Sequence, residues 1–103
     1  QIGETESLSS GLDYPSVSPL HCFLKDTRRA SYTAATDEDA LNAYKLVSKL
    51  ENISPSLEPS HAFHTAIKLA PKLNKNTILV VNSCGHSRKD AEIIKSRLGY
   101  YAA

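Results

Sequence analysis

The fold prediction starts from one apolar stretch, Thr77-Ile78-Leu79-Val80-Val81-Asn82, which follows a polar loop. A continuous run of β-branched and aliphatic residues is typical of a strand that is buried on both faces of a parallel sheet. Helices should then cover both faces of that sheet. Residues 30–35 alternate weakly around Tyr32 and predict a second, shorter strand.

A long helix is predicted from Thr36 to about Leu50. Thr36 can cap the first amides, and the three acids that follow it favour the positive end of the helix dipole. Apolar residues then recur at steps of three and four and make one stripe, formed by Ala40, Ala43, Tyr44, Val47 and Leu50.

Two further helices are predicted later in the chain. Pro59 suits the first turn of one, Pro71 should end or kink it, and its inward face is predicted to comprise Ala62, Phe63, Ala66, Ile67 and Ala70. The last helix should start near Ser87 and end at Gly99, with Ala91, Ile94 and Leu98 on one side.

Together these elements predict the α/β class: an incomplete three-layer, parallel-sheet, Rossmann-like fragment in the order strand-helix-helix-strand-helix. Residues 30–103 would form this fragment. Residues 1–29 are rich in glycine, proline and serine, so an extended or loop segment is expected there. A two-stranded sheet has little stability alone, so we expect further strands from a partner chain or a longer parent.

Composition excludes several classes of function. The 12 basic and 11 acidic residues give a net charge of +1, which does not favour nucleic acid as a partner. The first 51 residues are net acidic and the rest net basic, as on ordinary solvated faces or as a docking polarity toward another chain. No apolar run is long enough for a transmembrane segment. With only Cys22 and Cys84, we expect reduced thiols and an intracellular protein.

Several motifs carry a family resemblance. Gly11-Leu12-Asp13-Tyr14-Pro15, Leu57-Glu58-Pro59-Ser60-His61-Ala62 and Val81-Asn82-Ser83-Cys84-Gly85 occur in that order. With their separations, they resemble the last quarter of the tryptophan synthase β subunit, a pyridoxal-phosphate enzyme of fold type II. The resemblance covers most of residues 2–90.

This resemblance implies roles for particular residues. Glu58 matches the acid beside the cofactor ring, Cys84 aligns with the serine whose hydroxyl binds the pyridine nitrogen, and Gly85 follows in the same loop. Asp13 matches the acid near the hydroxyl of the amino-acid substrate. A monovalent-cation site is implied at the backbone of Leu12, Tyr14 and Ser16.

Simpler interpretations stand beside these roles. Asp13 can be an ordinary turn residue, bonded to its own backbone. Cys84 can be a small buried residue after a core strand. His61 and His64 lie three apart on a predicted helix, but no third ligand follows at a zinc-like spacing, so no metal site is expected. Tyr100-Tyr101 can be a frayed end or an aromatic anchor in an interface.

Departures from the family pattern cluster in the loop His86-Ser87-Arg88, where the family has a glycine and an acid. The family lysine that carries pyridoxal phosphate, and the cradle for its phosphate, lie upstream of residue 1. We therefore expect no catalysis and no cofactor in isolation, and a non-catalytic, tryptophan synthase β-like structural or interaction subunit within a larger assembly of protein chains. The alternative is the C-terminal part of a synthase that makes tryptophan from serine and indole, completed by another chain with pyridoxal phosphate. In a photosynthetic source the resemblance implies a plastid location.

Overall fold

The computed structural model describes residues 2–102, and its regular structure is helical. The four α-helices are α1 (Pro19–Asp26), α2 (Asp37–Glu51), α3 (Leu57–Leu69) and α4 (Ala91–Leu98). Short 3₁₀ turns lie at Ser10–Leu12, Ala70–Lys72 and Ser87–Asp90. Helices α2 and α3 pack against each other. No helix in the described part of the chain is both long and apolar enough to span a membrane.

The predicted start of α2 is confirmed in detail. The Thr36 hydroxyl accepts a hydrogen bond from the Asp39 amide at 3.1 Å, and the Asp39 carboxylate accepts one from the Thr36 amide at 2.9 Å. This reciprocal capping box satisfies two amides that a helix start leaves without partners. The Thr36 hydrogen bonds lower the pKa of Asp39. Local chemistry therefore fixes where α2 begins.

Helix α1 lies within residues 1–29, where extended and loop backbone was expected. The Ser18 hydroxyl caps it by accepting from the Leu20 amide at 3.1 Å, and Pro19 occupies its first turn. Proline is favoured there because its missing N–H would have no partner. The dipeptide Ser18-Pro19 thus indicates a helix start, although the composition around it is typical of turns.

The predicted parallel-sheet fragment is wrong. Residues 30–35 and 77–82 form no regular secondary structure, and no strand or bridge forms within residues 2–102. A strand is defined by the neighbour that pairs with its backbone N–H and C=O groups, and neither segment has one here. Ile78 and Val80, predicted to be buried on both faces of a sheet, are 88% and 85% exposed.

The core lies between α2, the start of α3 and α4. Its fully buried apolar side chains are Leu41, Tyr44, Leu57 and Ile94, and Leu8, Leu98 and Tyr101 pack against them. The apolar stripe of α2 is buried from Ala40 to Val47, whereas Leu50 is exposed. Tyr101 therefore packs against the core of this chain, which contradicts a frayed end at this residue, and the interface role of Tyr100-Tyr101 stays a prediction.

The ends of α3 and α4 are where the sequence predicts them. Helix α3 stops at Leu69, just before the 3₁₀ turn that holds Pro71, and α4 stops at Gly99 with φ 79°. The predicted inward face of α3 is wrong, because Ala62, Ile67 and Ala70 are exposed and the buried residues lie in its first turn. In the part of the chain described, α3 is exposed over its last three residues, 67–69.

Candidate functional site

The N-terminal end of α3 is held by a neighbouring loop instead of its own cap. The side chain of the N-cap residue, Ser56, makes no hydrogen bond to the helix. The Leu57 amide instead donates to Oδ2 of Asp90 at 3.1 Å, and Asp90 is only 3% exposed. A carboxylate is a good partner here because the positive end of the helix dipole favours negative charge. The 3₁₀ turn Ser87–Asp90 is thereby fastened to α3.

Glu58 lies at the centre of a charged cluster at this helix end. Lys89 donates to both Glu58 carboxylate oxygens at 3.0 and 2.9 Å, and to Oδ1 of Asp90 at 2.8 Å. The Gly11 amide donates to Glu58 Oε1 at 3.0 Å. A Cβ at position 11 would lie 2.7 Å from Glu58 Cγ, so Gly11 allows this close approach. Two distant parts of the chain thus converge on the Glu58 carboxylate.

The environment keeps Glu58 ionised. Burial raises its pKa, but hydrogen bonds from Lys89 and from backbone amides outweigh it and lower the pKa to about 2. Burial likewise lowers the pKa of Lys89, and the bonds to Asp90 and Glu58 more than offset this and raise it. Glu58 therefore carries a fixed negative charge across the physiological pH range.

The loop of Cys84 and Gly85 lies beside the same helix end. The Ser56 hydroxyl donates to the Cys84 carbonyl at 2.9 Å. Gly85 has φ 74°, a conformation that favours glycine, and a Cβ there would come within 3.2 Å of Ser56 Oγ. Cys84 itself is exposed, so its interpretation as a small buried residue is wrong. The exposed Cys84 thiol is therefore next to Gly85, whose backbone carries no side chain.

The residues around Asp13 form a separate, exposed turn. The Thr5 hydroxyl donates to the Asp13 carbonyl at 3.0 Å, next to the 3₁₀ turn Ser10–Leu12. Leu12, Tyr14 and Ser16 are exposed as well. The structure therefore links Gly11 to the Glu58 cluster, and places Asp13 two residues beyond that link.

The histidines of α3 have structural partners. His61 Nδ1 lies 2.7 Å from the Leu57 carbonyl, and His64 Nε2 lies 3.7 Å from Asp39 Oδ2. Among the residues described, no group of three or more metal-ligating side chains comes together.

Sequence reasoning missed Gly11, Ser56, Lys89 and Asp90 as parts of the site. One signal was available in the sequence: Lys89-Asp90 is a charged pair just before α4, and an acid is favoured near the positive end of a helix dipole. Nothing local to Gly11 or Ser56 indicates partners 47 and 28 residues away.

Comparison with known proteins gives the site a context. Over 92 residues, which are 89% of this chain, it is 51% identical to the tryptophan synthase beta chain of Fusobacterium nucleatum. It is 48% identical to the same protein of Bordetella petrii over 96% of the chain, and to that of Cereibacter sphaeroides over 97%. The chain belongs to the tryptophan synthase β family. It spans only 23 to 25% of the length of these relatives, namely their C-terminal portion.

Membership in the tryptophan synthase β family rests on these relatives, since no family model matches the chain. These matches extend over nearly the whole chain and so include both the Glu58 cluster and the Cys84 loop. The source organisms lend no support to a plastid location.

Proposed function

We propose that this chain is the C-terminal part of a pyridoxal-phosphate-dependent tryptophan synthase β-type enzyme that joins serine and indole. The chain would supply Glu58, Cys84 and Gly85 to the ring side of the cofactor site. The single observation that supports this most is the convergence of Glu58 and the Cys84 loop on one end of α3. These residues lie 26 positions apart in the sequence, and Ser56 and Lys89 bind them together.

The donor set fits a pyridine ring. Glu58 is held ionised by Lys89 and the Gly11 amide, which suits a fixed charge beside a polar aromatic ring. The Cys84 thiol is exposed and can donate a weak hydrogen bond to a ring nitrogen. Gly85 has no side chain to obstruct a ring that approaches the backbone. The chain's residues therefore fit one edge of the cofactor, and the phosphate side must come from elsewhere in the enzyme.

Each residue has a distinct task in this proposal. Pyridoxal phosphate, when bound, supplies the electron sink for amino-acid chemistry. Glu58 orients the ring by charge, and Gly11 and Lys89 keep that carboxylate in place. Cys84 binds at the ring nitrogen. Asp13, on its exposed turn, accepts a hydrogen bond from the substrate hydroxyl, and the backbone of Leu12, Tyr14 and Ser16 coordinates a monovalent cation.

A second candidate function is a non-catalytic structural subunit of a larger protein assembly. One observation favours it: Lys89 donates to both oxygens of Glu58, so the ionised carboxylate already has a cationic partner within the chain. His86, Ser87 and Arg88, where the sequence departs from the family pattern, adjoin this pair. A structural subunit would need the helical core, and the exposed Cys84 thiol would have no role in it.

Cofactor binding separates the two candidates. The intact protein would be titrated with pyridoxal phosphate, and the visible absorbance of bound cofactor followed before and after L-serine is added. The enzyme proposal predicts saturable binding, a serine-dependent spectral change, and cofactor binding at least about tenfold weaker in Glu58→Ala, since a lost charge-assisted bond costs about 1.5 to 3 kcal/mol. Glu51→Ala, which removes an exposed acid at the end of α2, is the matched control and should bind normally. Absence of saturable binding by the wild type would reject the enzyme proposal and leave the structural subunit.

A further inference from the structure

A buried network of hydroxyl groups lies behind the candidate site and takes no part in the chemistry proposed above. Its members are the side chains of Tyr44, Ser54, Ser87 and Tyr101. The hydroxyls of Tyr44 and Ser54 lie 3.2 Å apart, Ser54 is in direct contact with Ser87, and Ser87 lies 3.2 Å from the Tyr101 hydroxyl. Tyr44 and Ser87 have no exposed surface at all. The network thus joins α2, the α2–α3 connection, the 3₁₀ turn before α4 and the segment after α4.

The segment that follows α4 is held by its backbone as well. The Ala102 amide donates to the Tyr44 hydroxyl at 3.1 Å, and the Ala102 carbonyl accepts from the hydroxyls of Tyr44 and Ser54. Both backbone groups of Ala102 are therefore used inside the protein. Buried polar groups that are satisfied only by one another make a network costly to break at any single point.

The same network also holds the Cys84 loop, through residues 54–56. The Ser87 amide donates to the Ser54 carbonyl at 3.1 Å, in addition to the contact between their hydroxyls. Two residues further along, Ser56 binds the Cys84 carbonyl. Segment 54–56 therefore holds the loop at both ends. Ala102 fastens that segment to Tyr44 of α2, and Tyr101 contacts the loop itself at the Ser87 hydroxyl.

Ser87 fits this position without backbone strain. Among the described residues, the only non-glycine residues with positive φ are Arg28 and Asn52, so Ser87 needs no glycine-like freedom. Its side chain fills a fully buried position and finds partners on two sides. The serine is therefore an integral part of the packing between the loop and the segment after α4.

We infer that Ser87 and Tyr101 are positioning residues, which hold the Cys84–Gly85 loop in the geometry that the cofactor site requires. Neither residue touches the proposed ring position. Tyr101 acts through the Ser87 hydroxyl, and Ser87 acts through its contacts with Ser54. The positioning role rests on the proposed function, because it assumes a cofactor site. The hydrogen-bonded link between Tyr101 and the loop does not depend on that function.

Hydrogen exchange in the intact protein without cofactor tests the mechanical link. Ser87→Ala and Tyr101→Phe each remove one hydroxyl from the network, and Tyr100→Phe removes a neighbouring hydroxyl outside it. We expect exchange of the Ser87 amide to accelerate about tenfold in the first two variants, the change that a loss of about 1.4 kcal/mol produces. The double variant should be no faster than Ser87→Ala, because Tyr101→Phe removes only the bond to Tyr101 that Ser87→Ala has already removed. Amides within α2 and the Tyr100→Phe protein should exchange at the wild-type rate.

Unchanged exchange at Ser87 in both variants would overturn the link. So would equal acceleration in α2, which indicates global destabilisation instead of a loosened loop. If Ser87→Ala does not fold, Tyr101→Phe answers the question alone, since it removes a single oxygen from a partly exposed ring.

Titration of the same proteins with pyridoxal phosphate tests the purpose. Tyr101→Phe should bind the cofactor several-fold more weakly than Tyr100→Phe. Faster exchange at Ser87 with unaltered cofactor affinity would overturn the positioning role. A failure of the proposed function itself would be distinct, because the wild-type protein would then show no saturable binding while the exchange results could still hold.

Discussion

The two halves of α3 differ sharply although their apolar residues recur in the same way. In the first turn, Leu57, Pro59 and Ser60 are buried, and Asp90 and Gly11 bind the turn from two directions. In the last turns, Ile67 and Leu69 are 39% and 40% exposed. The difference teaches that apolar spacing predicts a helix but does not say which part of it is covered. Here, specific polar partners mark the covered half.

The largest expected effect is a truncation in the covered half. Leu57→Ala removes a fully buried core side chain and should lower the free energy of unfolding by about 2 to 5 kcal/mol. Ile67→Ala, in the exposed half, should lower it by less than about 1 kcal/mol. Urea denaturation of the intact protein measures both. Equal losses would show that the second half of α3 is covered after all.

A smaller effect is expected from the acid that replaces the missing cap. Asp90→Ala leaves the buried Leu57 amide without its partner and removes one of the two acids that Lys89 binds, and should cost about 2 to 3 kcal/mol. Glu92→Ala removes an exposed acid from α4 and should cost under about 1 kcal/mol. Should the two variants prove equally stable, the role given to Asp90 in holding α3 would be wrong.

A comparison of Gly85 with Gly99 distinguishes the cost of positive φ from the cost of a steric contact with Ser56. Gly85→Ala and Gly99→Ala both place a side chain at positive φ, which costs about 1 to 2 kcal/mol. Only at Gly85 does the new Cβ also meet Ser56, at 3.2 Å, whereas the space around Gly99 is open. Thermal unfolding should therefore show the larger loss for Gly85→Ala. A larger loss at Gly99 would contradict the packing of the Cys84 loop on Ser56.

The smallest effect concerns the boundary between the two halves. His61 bonds back to the Leu57 carbonyl, so His61→Ala should cost about 0.5 to 1 kcal/mol. His64→Ala loses only a partly exposed pair 3.7 Å from Asp39 and should be nearly neutral. Urea denaturation gives both losses, provided that the dependence of the unfolding free energy on urea concentration is unchanged. A larger loss for His64→Ala than for His61→Ala would place the boundary between the two halves of α3 closer to its C-terminal end.

Much of the helical structure could be predicted from the sequence. The capping residues Thr36 and Asp39 fixed the start of α2, and Pro71 and Gly99 marked the ends of α3 and α4, because these signals act within one or two turns. The strands could not be settled in the same way. A β-branched run such as residues 77–82 specifies a strand only together with its neighbours, and the described chain supplies none.

The candidate site was predictable only in part. Glu58, Cys84 and Gly85 came from the family resemblance, and the structure places Glu58 and the Cys84 loop at one helix end. Their actual partners, Lys89 and Gly11, are long-range contacts with no local pattern. Cys84 was expected to be buried if it followed a core strand, and it is exposed because that strand does not form.

The pKa of Glu58 tests the central claim most directly, since the claim is that the start of α3 holds an ionised carboxylate in a prepared site. Nuclear magnetic resonance of carboxyl-labelled glutamate in the intact protein gives this value. Because the folded pKa is depressed, the stabilisation is present above the ordinary value of 4.5 and is lost as the pH falls toward 2. We predict a pKa of about 2 in the wild type, shifted toward 4.5 in Lys89→Met. A wild-type value near 4.5 would contradict the account.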